Sequence, residues 1–518
     1  MEIVKNSVLC TWLAPLWLTL CRTYDTSCVA KLLRGFAAAC RRWGQGSAMV
    51  YFLSREGKLS QAWGDSGLCR LLTAIVNLPV RFLQFLYRKL KGPMEGSFFA
   101  DLGISVAEQE SFLLGWVMLA IMVIPYEKWS NGYSFAILML CTLLLFFTGM
   151  RRPGWRIDLA SLGPWLMAFF CLVPVSWALS SYRALSTRFL LYYITCILCV
   201  VIVVSVVERR EQLQRLMGAA SLALLVMALG GIVQRIQGVE VDAMMVDQTA
   251  NAGMPGRVFG FYDNPNAFGS VLLLLIPVAV GYMLSCPGWL GRFLGFFSAA
   301  AGLMTLLMTY SRANWVGLLV AVFLFLLLWK PKLVPVALVV AAVGVSFLPE
   351  TILNRALSIF NTSDTAISSR FPVYQAAIDY IRLHPIVGCG LGVEALREAV
   401  ADLQLFKGYD RFVHCHNIYL QVWCEMGIVA LIAFVGGIVW SVKTGIRAMA
   451  KAGIQCRMAI IGASAGVLGV MVSGMADFPW SYPRVMLVFW FVCALILAAA
   501  RLALREQGAR GLEASHET

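Results

Sequence analysis

The sequence predicts an all-α, polytopic membrane protein with about 12 transmembrane helices and a large extracytoplasmic loop carrying short amphipathic helices. Three observations lead there. The 518 residues have a mean hydropathy of +0.76, with 60% hydrophobic and only 14% charged residues, outside the range of soluble domains. Apolar stretches near the length needed to cross about 30 Å of hydrocarbon recur from residue 112 to residue 502. The connections between them alternate between strongly basic and nearly neutral, the pattern that sets membrane orientation.

Residues 1–110 read as a basic, amphipathic, cytoplasmic or interfacial extension, 111–502 as the transmembrane domain, and 503–518 as a cytoplasmic tail. The apolar run 9–21 leads into basic sequence rather than a small-residue cleavage site, so no cleavable signal is expected. VAKLLRGFAAACRRW and LLTAIVNLPVRFLQFLYRKLKG alternate apolar and cationic positions at helical spacing, as helices lying on an anionic leaflet do.

The expected spans, in order, are 112–125, 133–150, 159–179, 189–207, 217–236, 268–285, 293–310, 314–329, 333–348, 417–440, 458–474 and 485–502. The first and ninth are short for a crossing. With the N terminus inside, RRPGWR, ERREQLQR, CPGWLGR, KPK, KTGIRAMAKAGIQCR and the tail all fall on the cytoplasmic side. That placement accounts for the formal charge of +14 without nucleic acid as a partner. Most of the 15 cysteines lie in apolar spans or the basic extension, and nothing in the Cys and His spacing points to a structural metal. Cys389 and Cys415 fall in the polar loop 350–415, and whether they pair is left open.

Arg183, Arg188, Arg257, Arg312, Arg370 and Arg484 land on the outer side, against the charge bias. Arg312, in MTYSRANWVG, has almost no loop to carry it into water. One such residue reads as a snorkelling anchor; several that converge read as a cationic site. GRVFGFYDNPNAFGS brings Arg257, Asp263, Asn264 and Asn266 to the same face, with Asn264–Pro265 a helix start and Asn266 a cap for its first turn. In the large loop, Ser368 or Ser369 can cap a helix through FPVYQAAIDYIRL, and VEALREAVADLQL forms a second. Arg370 near that first N terminus suits an anion, and the pair of helices suits a lid.

His414 and His416 close the loop, and at that spacing only one can face a common site. His416, next to the helix start, is the one expected to act as a general base. His384, in RLHPIVG, is expected to pack or cap at the end of its helix. Glu425 is a carboxylate inside a span, suited to orienting an arginine or holding an acceptor. Asp477, in MADFPWSYPR, makes a turn or meets an outer arginine. Guanidinium groups around one base suit transfer from a pyrophosphate-linked donor, because they offset the charge growing on the diphosphate as it leaves. No DxD-like pair or His/carboxylate cluster appears, so metal-independent chemistry with no cofactor is expected.

The ordered set GRVFGFYDNPNAFGS, TYSRANWVG, SSRFPVYQAAIDYIRLHPIVGCGLG, HCHNIYLQVWCEMGIVAL and DFPWSYPRVMLVFW resembles the bacterial O-antigen ligase and O-antigen polymerase family across roughly residues 110–500. The resemblance implies a multi-pass glycosyltransferase of the bacterial plasma (inner) membrane with an extracytoplasmic active site. It implies an undecaprenyl-diphosphate-linked glycan as donor, a glycan or lipid or wall acceptor, and inversion at the anomeric carbon. Carried over by motif, Arg257, Arg312 and Arg370 contact the diphosphate, and His416 is the base with Arg312 beside it. His414, Glu425, Asn266, Arg188 and Asp477 are expected in support. The rival reading is a transporter or flippase of lipid-linked glycans. It is disfavoured by spans with little midplane charge and by halves that show no repeat.

Overall fold

Hydrocarbon offers backbone N–H and C=O groups no partner but one another, so a chain this apolar satisfies them within helices. The computed structural model describes residues 22–94, 109–152, 154–240, 253–360, 368–408, 411–450 and 452–516, with 15, 19, 97 and 105. Most of the expected run 9–21, and parts of the outer segment 237–267 and of the loop 350–415, lie outside the described residues. Among the described residues there are helices and turns but no strand.

In chain order the helices are α1 (Cys28–Gly46), α2 (Ala48–Ser54), α3 (Lys58–Asp65), α4 (Gly67–Val76), α5 (Leu78–Met94), α6 (Glu110–Val123), α7 (Asn131–Arg151), α8 (Pro164–Leu179), α9 (Arg183–Val206) and α10 (Arg210–Gln237). They continue as α11 (Pro265–Ser285), α12 (Trp289–Met308), α13 (Arg312–Trp329), α14 (Val334–Val345), α15 (Glu350–Leu357), α16 (Arg370–Leu383), α17 (Val393–Asp402), α18 (Ile418–Met449), α19 (Ile454–Ser473) and α20 (Pro483–His516). Each of the twelve expected spans falls on one of them. Among the described residues nine are long and apolar enough to cross a membrane, or up to eleven if two bent pairs each count as one span. The count differs from twelve because α6, α8 and α14 have 14, 16 and 12 residues, short of a full crossing.

The chain divides into two compact units, residues 1–55 with 323–348, and 56–322 with 349–518. In the first, Ser27 caps α1 by accepting from the Ala30 N–H, and α1 packs against the short turn Pro331–Leu333. The second holds everything that follows. Its early helices are docked rather than merely amphipathic. Buried Asn77, between α4 and α5, exchanges hydrogen bonds with the Ile157 backbone at 2.9 and 2.7 Å, and Gln84 donates to the carbonyls of Gly149 and Trp155.

Burial ranks the spans of this unit. The crossing stretch of α20 is wholly enclosed, with α19 and α11 at 83% and 78% buried, whereas α12 is 28% buried and peripheral. Small residues permit the close α19–α11 crossing. A Cβ at Gly466 would sit 2.4 Å from the Leu274 carbonyl oxygen, so the two backbones are in direct contact there. Beside them, Phe169, Phe434, Trp480 and Trp490 interlock at ring separations of 5.0 to 6.3 Å, holding the turn before α20 against α8 and α18.

Candidate active site

The turn between α12 and α13 is too tight to shed its polar groups into solvent, so they are satisfied inward. Tyr310 takes a left-handed φ of 51°. Asn314, fully buried, donates to the Asn266 carbonyl (2.9 Å) and Ser311 Oγ (3.0 Å), and accepts from Ser270 Oγ (3.1 Å) and Ser473 Oγ (2.9 Å). One amide thus ties α11, α13 and α19 together at the end where the site lies. Arg312, two residues earlier, is held by donation to the carbonyl and hydroxyl of Ser358 at 3.0 and 2.9 Å.

Around this turn is a cavity of about 660 Å³. Arg257, Arg312, Arg355 and Arg370 line it together with His416 and Asp477. Arg257 donates to the Thr309 carbonyl (2.9 Å) and to Asn266 Oδ1. Burial, and then the fields of Arg355 and Arg312, press its guanidinium down to about 9 against the opposing pull of Asp477. A cation so opposed by burial and by its neighbours gains when an anion arrives. Arg370 opens α16 and lines the cavity, so the positive end of that helix lies near it. Among the described residues, four guanidiniums against one carboxylate and one imidazole form a donor set that repels a metal cation and attracts a polyanion.

His416 sits at φ 45°, a left-handed conformation that L side chains adopt only when held. Its N–H donates to Nδ1 of His414 (3.1 Å), and its carbonyl receives the Tyr374 hydroxyl (3.4 Å). The two imidazoles lie 4.1 Å apart, centre to centre. Burial, then the adjacent His416, push His414 down to about 3, so it is neutral and can accept that N–H. Nδ1 of His416 faces Oδ1 of Asp477 at 3.9 Å, too long for a hydrogen bond but close enough to stabilise an imidazolium. Burial alone would raise the Asp477 carboxyl; His416, His414 and Arg370 outweigh it and hold the group below its ordinary value. Asp477 is further fixed by accepting the Phe478 N–H at 2.8 Å.

The structure therefore gathers Arg257, Arg312, Arg370, His416, Asn266 and Asp477 around one cavity, with His414 behind His416. Three expectations need correction. Asn264, not Asn266, caps α11, accepting from the N–H groups of Asn266 and Ala267; Asn266 instead steers Arg257. Arg188 lies outside the cavity, with Glu394 at 3.9 Å and its side chain 66% exposed. Glu425 orients no arginine: it is 2% exposed and paired with Gln421 at 2.7 Å inside α18. Cys389 and Cys415 are both free thiols, buried in the small core under α16 and α17. Ser369 precedes α16 without a side-chain capping bond, and His384 ends it, 5.0 Å from the Tyr380 ring.

Sequence reasoning missed Arg355 and Asn314. Arg355 is 5% exposed on α15, donates to the Tyr310 carbonyl, and meets the cavity beside Arg257. Its one trace in the sequence is a lone cation on the amphipathic segment ETILNRAL. Asn314 left no periodic signal, because its partners come from α11, α19 and the turn before its own helix.

A break in α18 positions the loop. Gly427 has φ 83° within the helix, freeing carbonyls that would otherwise bond along it. Those of Cys424 and Glu425 accept the N–H groups of Cys389 (2.9 Å) and Gly390 (3.0 Å), and the Ile428 N–H donates to the Pro385 carbonyl (3.2 Å). The segment between α16 and α17 is thus pinned into the break of the span.

Residues 297–435 match the family model described as O-antigen ligase. A protein of Haemophilus influenzae described as uncharacterized is 29% identical over 160 residues, covering 27% of this chain and 40% of the relative. The chain matches less than half of that relative's length. Arg312, Arg355, Arg370 and His416 all fall inside the segment that is similar to the O-antigen ligase family.

Proposed function

We propose that the protein transfers a glycan from an undecaprenyl-diphosphate donor to a hydroxyl of a glycan, lipid or wall acceptor, at the extracytoplasmic face of the bacterial inner membrane. The observation that carries this reading is the convergence of four guanidiniums and one imidazole–carboxylate pair on a single cavity between helix ends. Arg257, Arg312, Arg355 and Arg370 grip the diphosphate. His416 removes the proton from the acceptor hydroxyl, and the oxygen attacks the anomeric carbon from the face opposite the leaving group. The anomeric C–O bond breaks, its electron pair passes to the diphosphate oxygen, and the configuration inverts. Asp477 steadies the imidazolium, while the arginines take the charge a divalent ion would otherwise offset.

The test is turnover of a lipid-diphosphate oligosaccharide by the purified, reconstituted protein, with chelator present throughout. His416→Ala is expected to lower kcat by about 10²- to 10⁴-fold with donor binding retained, the range for losing a general base. A transporter would respond little to this change, and full activity in the variant overturns the proposal. A ladder of products marks a polymerase; a single conjugate marks a ligase.

A further inference from the structure

A second groove, of about 610 Å³, opens beside the arginine cavity, and nothing in the proposed transfer uses it. The two are neighbours across shared walls. Asn264 lines the first and Asp263 the second; past α19, Asp477 faces the first and Tyr482 the second. The chemistry of the second groove is different in kind. Trp129, Tyr192 and Tyr482 contribute aromatic surface, Arg188 and Arg484 contribute donors, and Asp263 an acceptor.

Parts of this lining are held in place. Trp129 Nε1–H donates to Ser134 Oγ at 2.9 Å, and the ring meets Tyr133 edge-on. Arg484 is 7% exposed, donates to the Ile124 carbonyl at 2.6 Å and lies 5.4 Å over the Tyr262 ring. A groove of this size is in the range of ligand sites. Aromatic surface takes the C–H-bearing faces of pyranose rings, and carboxylate and guanidinium groups take their hydroxyls as donors and acceptors. A phospholipid headgroup fits less well, because its phosphate would meet the Asp263 carboxylate.

We propose that this groove binds saccharide: it holds sugar units of a glycan whose reacting end lies in the adjoining arginine cavity. The identity of the ligand rests on the transferase reading. The test therefore measures binding without turnover, using the full-length protein in nanodiscs and saturation-transfer NMR. Two lipid-free probes separate the sources: the oligosaccharide released by mild acid from the host cell's lipid-diphosphate glycan, and the oligosaccharide released from its surface glycolipid. Binding of the first places donor sugars in the groove; binding of the second places the acceptor there. Trp129→Ala is expected to weaken saccharide binding at least tenfold. So is Arg188→Ala, a change at an exposed side chain that leaves the fold intact, while His416→Ala leaves binding unchanged. The proposal is overturned if neither probe binds the wild type, if both groove variants bind as the wild type does, or if glycerophosphoglycerol displaces the sugar. Saccharide binding at the groove by a protein that transfers nothing would sink the transferase reading and leave the groove standing.

Discussion

The two histidines show how one residue works through another. His414 accepts the backbone N–H that holds His416 in its left-handed turn, and only a neutral imidazole can do so. His414→Asn, which keeps an acceptor near that position, is expected to retain more activity than His414→Ala, with kcat as the readout. Linkage gives a second expectation. The His414 pKa falls from 6.5 to about 3 on folding, so between those values the unfolded chain binds a proton that the native one does not. Its contribution is fully present above pH 6.5 and is lost as the pH falls toward 3; Asp477, also held below its ordinary value, acts in the same direction. Thermal unfolding of the purified protein should therefore drop on acidification, and less steeply in His414→Asn. The spacing HCH was legible as a site in which one imidazole faces in. The adjoining helix start already favoured His416; its left-handed backbone, which no periodicity encodes, came only with the structure.

Among the elements, the broken helix α18 matters most for the site. The stretch from Asn417 onward reads in sequence as one uninterrupted apolar span, and Gly427 looks like any other small residue in it. In the structure Gly427 is the point where the loop enters, and a Cβ there would lie 1.8 Å from the Ile386 carbonyl oxygen. Gly427→Ala combines that clash with a left-handed backbone costing about 1–3 kcal/mol. The expected result is a lower melting temperature and loss of transfer, although no residue touching the cavity has changed. Comparison with Gly288→Ala, where a Cβ meets nothing within 4 Å, isolates the effect. Glu425, two residues before the break, was readable as an expensive carboxylate in a span. Its actual partner, Gln421, lies one turn away and satisfies it without any arginine.

For the molecule as a whole, charge placement yields two further expectations. Topology by the positive-inside rule puts the segment after α17 outside and the one after α18 inside. Alkaline phosphatase fused after Lys407 should be active in intact bacteria and inactive when fused after Arg457; the reverse pattern removes the extracytoplasmic site. Inorganic pyrophosphate should raise the melting temperature, since an anion that binds only the native cavity stabilises it by about 2.7 kcal/mol at a hundred times its Kd. Arg257→Ala should shrink that shift, because burial and then the fields of Arg355 and Arg312 work against its charge until an anion binds. Legible in the chain before any packing are the helical class, the order of the membrane segments, the side expected to carry anomalous cations, and a short roster that includes Arg257, Arg312, Arg370 and His416. These follow from composition and local periodicity, which hydrocarbon reads one segment at a time. Packing in three dimensions added Arg355 to that roster, removed Arg188 and Glu425 from it, tied three helices through Asn314 at the site, and set a second groove next door. Those outcomes depend on which faces of distant helices meet, and packing across hundreds of residues leaves no mark in any one window of sequence.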